Sequence, residues 1–376
     1  MKAVYSIYIR DKDGQFIDRL NDFTKLHILL TLNDVGSWSL SSKGLEKCPF
    51  APGEGIVVSR NGKYFYSGVV TEITDNYETF DGMYSWQVSG KNDLEYLNRR
   101  ICYVDPSTGR TDTVSHYVDN GALSDVVRRL IMKNIGNQAL SYRREPIIED
   151  HLQSQVGGSA SVSLRFQNLL KVVTSLVAGK GFNIRPNWDN KKKKIYYDIF
   201  QGRDLENSIV FTDQIRNITA AQYLASVPAC NFILAGGTGE MTERQFADAQ
   251  NDGSISKWGR IEKFQDARNQ GEVVSYASEV LAENSANTVG YSCTAADDEN
   301  SPQYGIDYEL GDFVGMKVFG TFVVAEVQQC EIEISDGNET FEPRFGTVAI
   351  GKLKNIFAQL ADLRKDVNEL LGTEIE

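Results

Sequence analysis

Apolar and polar positions alternate with period two through the first hundred residues. Val4-Tyr5-Ser6-Ile7-Tyr8-Ile9-Arg10 predicts one strand and Leu26 to Leu32 another. Gly55 to Val58, Tyr64 to Ile73 and Met83 to Ser89 continue the series, and Asp13-Gly14, Asn61-Gly62 and Asp81-Gly82 are turn dipeptides between such runs. Five or six strands joined by tight turns predict a small sandwich or barrel. After about residue 105 the period changes. Leu123, Val126, Val127, Leu130 and Ile131 recur at helical spacing, with Gly136 placed to end that helix. Phe166, Leu169, Leu170, Val173, Leu176 and Val177 predict a second helix, closed by Gly179. Strands at Phe182 to Arg185 and Ile195 to Phe200 follow, around a turn holding four lysines, Lys191 to Lys194. That run reads as a solvated hairpin turn rather than a nucleic-acid patch.

Strands resume at Ser208 to Phe211 and near Asn231 to Ala235, before a polar stretch from Gly236 to Gln270 with little periodicity. Tyr276, Val280 and Leu281 suit a short helix. Phe313 to Val318, Phe322 to Val327 and Cys330 to Ile334 form a last β segment. The chain thus carries two β-rich blocks, early and late, and no tandem repeat. Near the C-terminus Leu353, Ile356, Leu360, Leu363, Val367 and Leu370 step by 3, 4, 3, 4, 3, the a and d positions of a coiled coil. Leu at a with Ile at d, as in its first heptad, favours trimers or tetramers. An amphipathic helix packed on its own domain is the competing reading.

Composition narrows the function. Lys and Arg number 39 against 51 Asp and Glu, a formal net charge of −12 over 376 residues. That balance argues against gripping nucleic acid through phosphate neutralisation and against anchoring to anionic lipid. No stretch approaches 18 consecutive apolar residues, and the N-terminus lacks a signal-peptide pattern. Five scattered cysteines (Cys48, Cys102, Cys230, Cys293 and Cys330) form no CxxC pair and read as free thiols. Catalytic chemistry finds no support. Gly236-Gly237-Thr238-Gly239 lacks the Lys of a phosphate loop and opens no apolar helix. His27, His116 and His151 sit in no hydrolase context and have no metal-ligand spacing. Asp297-Asp298-Glu299-Asn300 lacks the alternation and Gly of a calcium loop. The expectation is therefore no catalytic residues, no metal and no cofactor.

Several stretches together resemble the siphophage tail-hub family, whose members form the N-terminal part of tail-associated lysins and are similar to the baseplate hubs of contractile phages. They are Asn33-Asp34-Val35-Gly36-Ser37-Trp38-Ser39-Leu40, Tyr66-Ser67-Gly68-Val69-Val70, and Val88-Ser89-Gly90-Lys91-Asn92-Asp93-Leu94 running on to Arg100-Ile101. Gly202-Arg203-Asp204-Leu205 follows, then Ser254 to Glu262 around Trp258-Gly259-Arg260, where Trp replaces the usual Tyr. Tyr304-Gly305-Ile306-Asp307-Tyr308-Glu309-Leu310-Gly311-Asp312-Phe313-Val314 is the last. Gly259, Gly311 and Asp312 read as turns that determine the fold.

The resemblance implies a mainly β chain with an α+β insertion: two β-barrel, tube-type domains, accessory α+β domains and a C-terminal coiled-coil helix. On that basis residues 1–104 form the first β-barrel, completed by about 205–235. Residues 105–204 are the α+β insertion, 236–300 an accessory region, 301–350 a second β-rich barrel segment and 351–376 the C-terminal helix. The resemblance also implies a homotrimer at the distal end of a virion tail, made in the host bacterial cytoplasm. It would close or continue the tail tube, gate DNA ejection and seat a distal tail protein, other tail-tip proteins and receptor-binding components. A carboxylate-lined lumen would let DNA pass without specific binding. Because the sequence ends just past the heptads, a hydrolase half is not expected, and no membrane insertion is expected of this chain. A tail-associated peptidoglycan hydrolase and a carbohydrate-binding tail adhesin are the alternatives, and a related contractile injection apparatus could use the same fold.

Overall fold

The computed structural model describes residues 3–346 except 21, 45, 79–81, 113, 152–155, 226, 240, 268–272, 285–288, 297–300 and 336–337. In chain order the early strands are β1 (Tyr5–Arg10), β2 (Phe16–Leu20), β3 (Lys25–Thr31), β4 (Ser37–Gly44), β5 (Gly55–Arg60), β6 (Lys63–Glu78) and β7 (Met83–Asn92). The insertion follows as α1 (Glu95–Asn98), β8 (Tyr117–Ala122), α2 (Leu123–Asn134), β9 (Ser159–Leu164), α3 (Leu169–Ala178), β10 (Asn183–Asp189) and β11 (Lys194–Phe200). Then come β12 (Asp204–Thr212), β13 (Ile218–Ala225), β14 (Phe232–Gly236), β15 (Phe246–Gln250), α4 (Asp252–Trp258), β16 (Glu262–Asp266), α5 (Val273–Asn284) and β17 (Val289–Ala295). The last three strands are β18 (Phe313–Val318), β19 (Thr321–Ser335) and β20 (Asn338–Gly346). The chain divides into two compact units. The first holds Met1–Thr219, Thr294–Lys317 and Val324–Phe345; the second is built chiefly from Ala220–Cys293.

The first unit is organised by one large sheet in the order β20-β19-β3-β4-β7-β6-β5-β1-β2; β18 also pairs with β19, and β12 pairs in parallel with β18. The early and late β-rich blocks are therefore hydrogen-bonded to each other: Cys330 sits opposite Leu30, Ile332 opposite Ile28 and Ile334 opposite Leu26. Ile7, Ile9, Leu26, Ile28, Trp38, Leu40, Ile56, Val58, Val88 and Ile332 form one core on this sheet. Among the described residues the strand order is an open path, so the mainly β class holds while closure into barrels is not among these pairings.

The insertion explains why Gly55 to Val58 is apolar at every position. Ile56 and Val58 enter the sheet core, whereas Val57 and Val69 join a second core built from Leu123, Val127, Leu130, Leu169, Val173, Ile184 and Ile199. A strand covered on both faces loses the alternation of a half-exposed one. Helix α3 starts where Asn168 accepts the Lys171 amide, and β10 and β11 form the hairpin around the lysine turn. Three of the four are engaged: Lys192 pairs with Glu149 at 2.8 Å, Lys193 lies over the Phe16 ring, and Lys194 donates to the Pro146 carbonyl.

In the second unit β14 pairs antiparallel with β15 and parallel with β16. Helix α5 packs on this sheet over a small core of Cys230, Ile233, Ala235, Ala267, Ala277 and Val280. The heptad positions Leu353, Ile356, Leu360, Leu363, Val367 and Leu370 lie outside the described residues, as does the acidic run 297–300.

Candidate functional site

The stretches singled out in the sequence meet one another in space. Trp38 on β4 is 1% exposed, and its indole fills room left by two glycines on neighbouring strands. A Cβ on Gly90 would lie 2.4 Å from Trp38 Nε1 and 2.0 Å from the Val69 carbonyl oxygen; one on Gly68 would lie 2.7 Å from the same indole nitrogen. Both contacts are far inside van der Waals range, so glycine is required here by close approach rather than by backbone conformation. Next to Gly68, Ser67 donates to Asp93 Oδ2 at 2.5 Å, and Arg10 Nη2 pairs with Asp93 Oδ1 at 2.7 Å, both side chains fully buried. Tyr197 from β11 donates to the Asp93 carbonyl at 3.0 Å, and Arg10 lies over the Trp188 ring. One buried ion pair thus joins β1, β6, the start of α1 and the insertion hairpin. Burial pushes the Asp93 carboxyl up from its ordinary range, with the Arg10 charge and the Ser67 hydroxyl opposing it.

A second junction joins the segments around residues 202 and 311. Asp312 is 4% exposed; its Oδ1 accepts the Arg203 amide at 2.8 Å, and its Oδ2 accepts Arg203 Nη2 at 2.6 Å and the Glu309 amide at 2.8 Å. The backbones lock alongside: Phe313 donates to the Arg203 carbonyl and Gly311 to the Val327 carbonyl. Gly311 has φ +90°, and a Cβ on Gly202 would fall 1.7 Å from the Gly311 oxygen. In the second unit, Gly259 caps α4 with φ +77°, and Asn231 bridges it: Nδ2 donates to the Gly259 carbonyl at 2.7 Å while Oδ1 accepts the Ile261 amide at 2.7 Å. Trp258 is 37% exposed, and Arg260 lies over the Phe232 ring.

A buried carboxylate saturated by Arg203 and two amides has no acceptor capacity left for substrate. At the Gly236-Gly237 loop, Arg244 donates to both glycine carbonyls. His27 Nε2 lies 2.7 Å from Glu331 Oε1, and His151 Nε2 lies 3.0 Å from Asp198 Oδ1. His116 faces a shallow cavity of about 550 Å³ beside Asp105, Tyr117 and Lys133. Among the described residues no three His, Cys, Asp or Glu side chains converge as metal ligands. All five cysteines are free, and burial pushes the Cys102 thiol up to about 12, which keeps it an inert thiol. No helix is long and apolar enough to cross a membrane among the described residues.

Arg10 was not singled out from the sequence. Its signal is a cation one position beyond the alternating Ile7-Tyr8-Ile9, on the Tyr8 side that the insertion covers.

The fold is shared with solved proteins. Over 90% of this chain and 96% of the other, it is similar to the 43 kDa tail protein of prophage MuSo2 from Shewanella oneidensis, with TM-score 0.53 at 12% identity. It is likewise similar to the prophage tail protein gp18 from Listeria monocytogenes (TM-score 0.53, 12% identity, 96% and 99% covered). A tail protein from Neisseria meningitidis gives TM-score 0.51 at 11% identity, with 91% and 96% covered. The chain itself belongs to the siphovirus tail family described as Siphovirus ReqiPepy6 Gp37-like protein, which matches residues 6–347. Among curated proteins none matches.

Proposed function

We propose that this protein is the structural hub at the distal end of a phage tail. Its work is assembly: three copies would continue or close the tail tube, hold the distal tail protein and receptor-binding components, and gate DNA ejection. The observation that carries this reading is the family match over nearly the whole described chain, supported by a fold held in common with whole prophage tail proteins. The motif residues agree with a scaffold. Trp38, Asp93 and Asp312 are buried, and the two carboxylates are paired inside the chain, which suits rigidity rather than turnover. Closure of β-rich segments into two tube-type barrels belongs to the trimer of this proposal, as does a seam through Leu353, Ile356, Leu360, Leu363, Val367 and Leu370. Acidic residues facing the resulting lumen would repel phosphate and let DNA slide.

Antibody-gold labelling of intact virions tests the placement. Label confined to the tail tip is expected; label along the tube, or none on the virion, contradicts the hub. Clearing of host cell walls by the purified chain, abolished by His116→Ala or His151→Ala, would replace it with the hydrolase.

A further inference from the structure

We draw no further inference here: the strongest candidate, the exposed sheet face of β14, β15 and β16 on which Leu234, Phe246 and Phe264 stand outward, carries nothing, because nothing in the structure shows what covers it.

Discussion

The first unit and the second solve the same problem, the covering of a sheet face, with opposite use of side-chain size. In the first, Trp38, Leu40, Ile56 and Trp86 point inward, and glycines at 68 and 90 yield space to the largest of them. In the second, the inward positions are Ile233, Ala235, Ala267 and Ala277, while Leu234, Phe246 and Phe264 are exposed on the sheet's other side, the two phenylalanines beneath the Arg244 guanidinium. Hydrophobic stabilisation scales with the apolar area removed from water, about 25 cal/mol per Å². A core of alanines therefore leans on backbone junctions such as Asn231 where the other leans on packing.

That contrast ranks the ways to disturb the molecule. Gly90→Val should be the most damaging, since the new Cβ meets both the Trp38 ring and the Val69 carbonyl, a backbone atom that cannot step aside. A loss above about 3 kcal/mol is expected, visible as failure to recover soluble protein or as a large fall in the denaturation midpoint. Asp93→Ala comes next. It strands the Arg10 guanidinium in a fully buried site, at about 3–5 kcal/mol, and chemical denaturation should report it. Asn231→Ala should cost about 1–3 kcal/mol, and hydrogen exchange should show the loss around residues 230–262 while the β3–β4–β7 amides keep their protection.

The smallest effect is pH-dependent. Hydrogen bonding to His27, reinforced by Arg344 and opposed by partial burial, holds the Glu331 carboxyl below its ordinary range. A depressed folded-state value means that its stabilisation is complete above the unfolded-state value near 4.5 and is lost as pH falls through the folded one. Melting temperature followed downward from pH 5 should therefore drop, and Glu331→Gln should flatten that part of the curve. A variant curve parallel to the parent would remove Glu331 from the acid response.

The same contrast explains what could be read from the chain. Strands β1, β3, β5, β6 and β7 and helices α2 and α3 were legible because large apolar residues mark their buried faces. Between Gly236 and Gln270 the sequence reads as a polar stretch, yet it holds β15, α4 and β16. In Phe246-Ala247-Asp248-Ala249-Gln250 the large residue is exposed and the alanines are the more covered, so the hydrophobic contrast that periodicity relies on is inverted. Pairing of the late block with the early one, Cys330 across from Leu30, was invisible for a different reason. Strand partners three hundred residues apart leave no local mark. The junction residues Asp93, Gly202 and Asp312 were legible as motif members, but their partners were not, because only the folded chain brings Arg10 to Asp93 and Gly311 to Gly202.

The most direct test of the hub is the absolute mass of the full chain in solution, measured by light scattering on a size-exclusion column at several concentrations. Three copies of the 42.0 kDa chain are expected, falling toward one in the double variant Leu360→Asp, Leu363→Asp. A monomer at every concentration, or a trimer that the double variant leaves intact, would contradict a hub assembled through that seam.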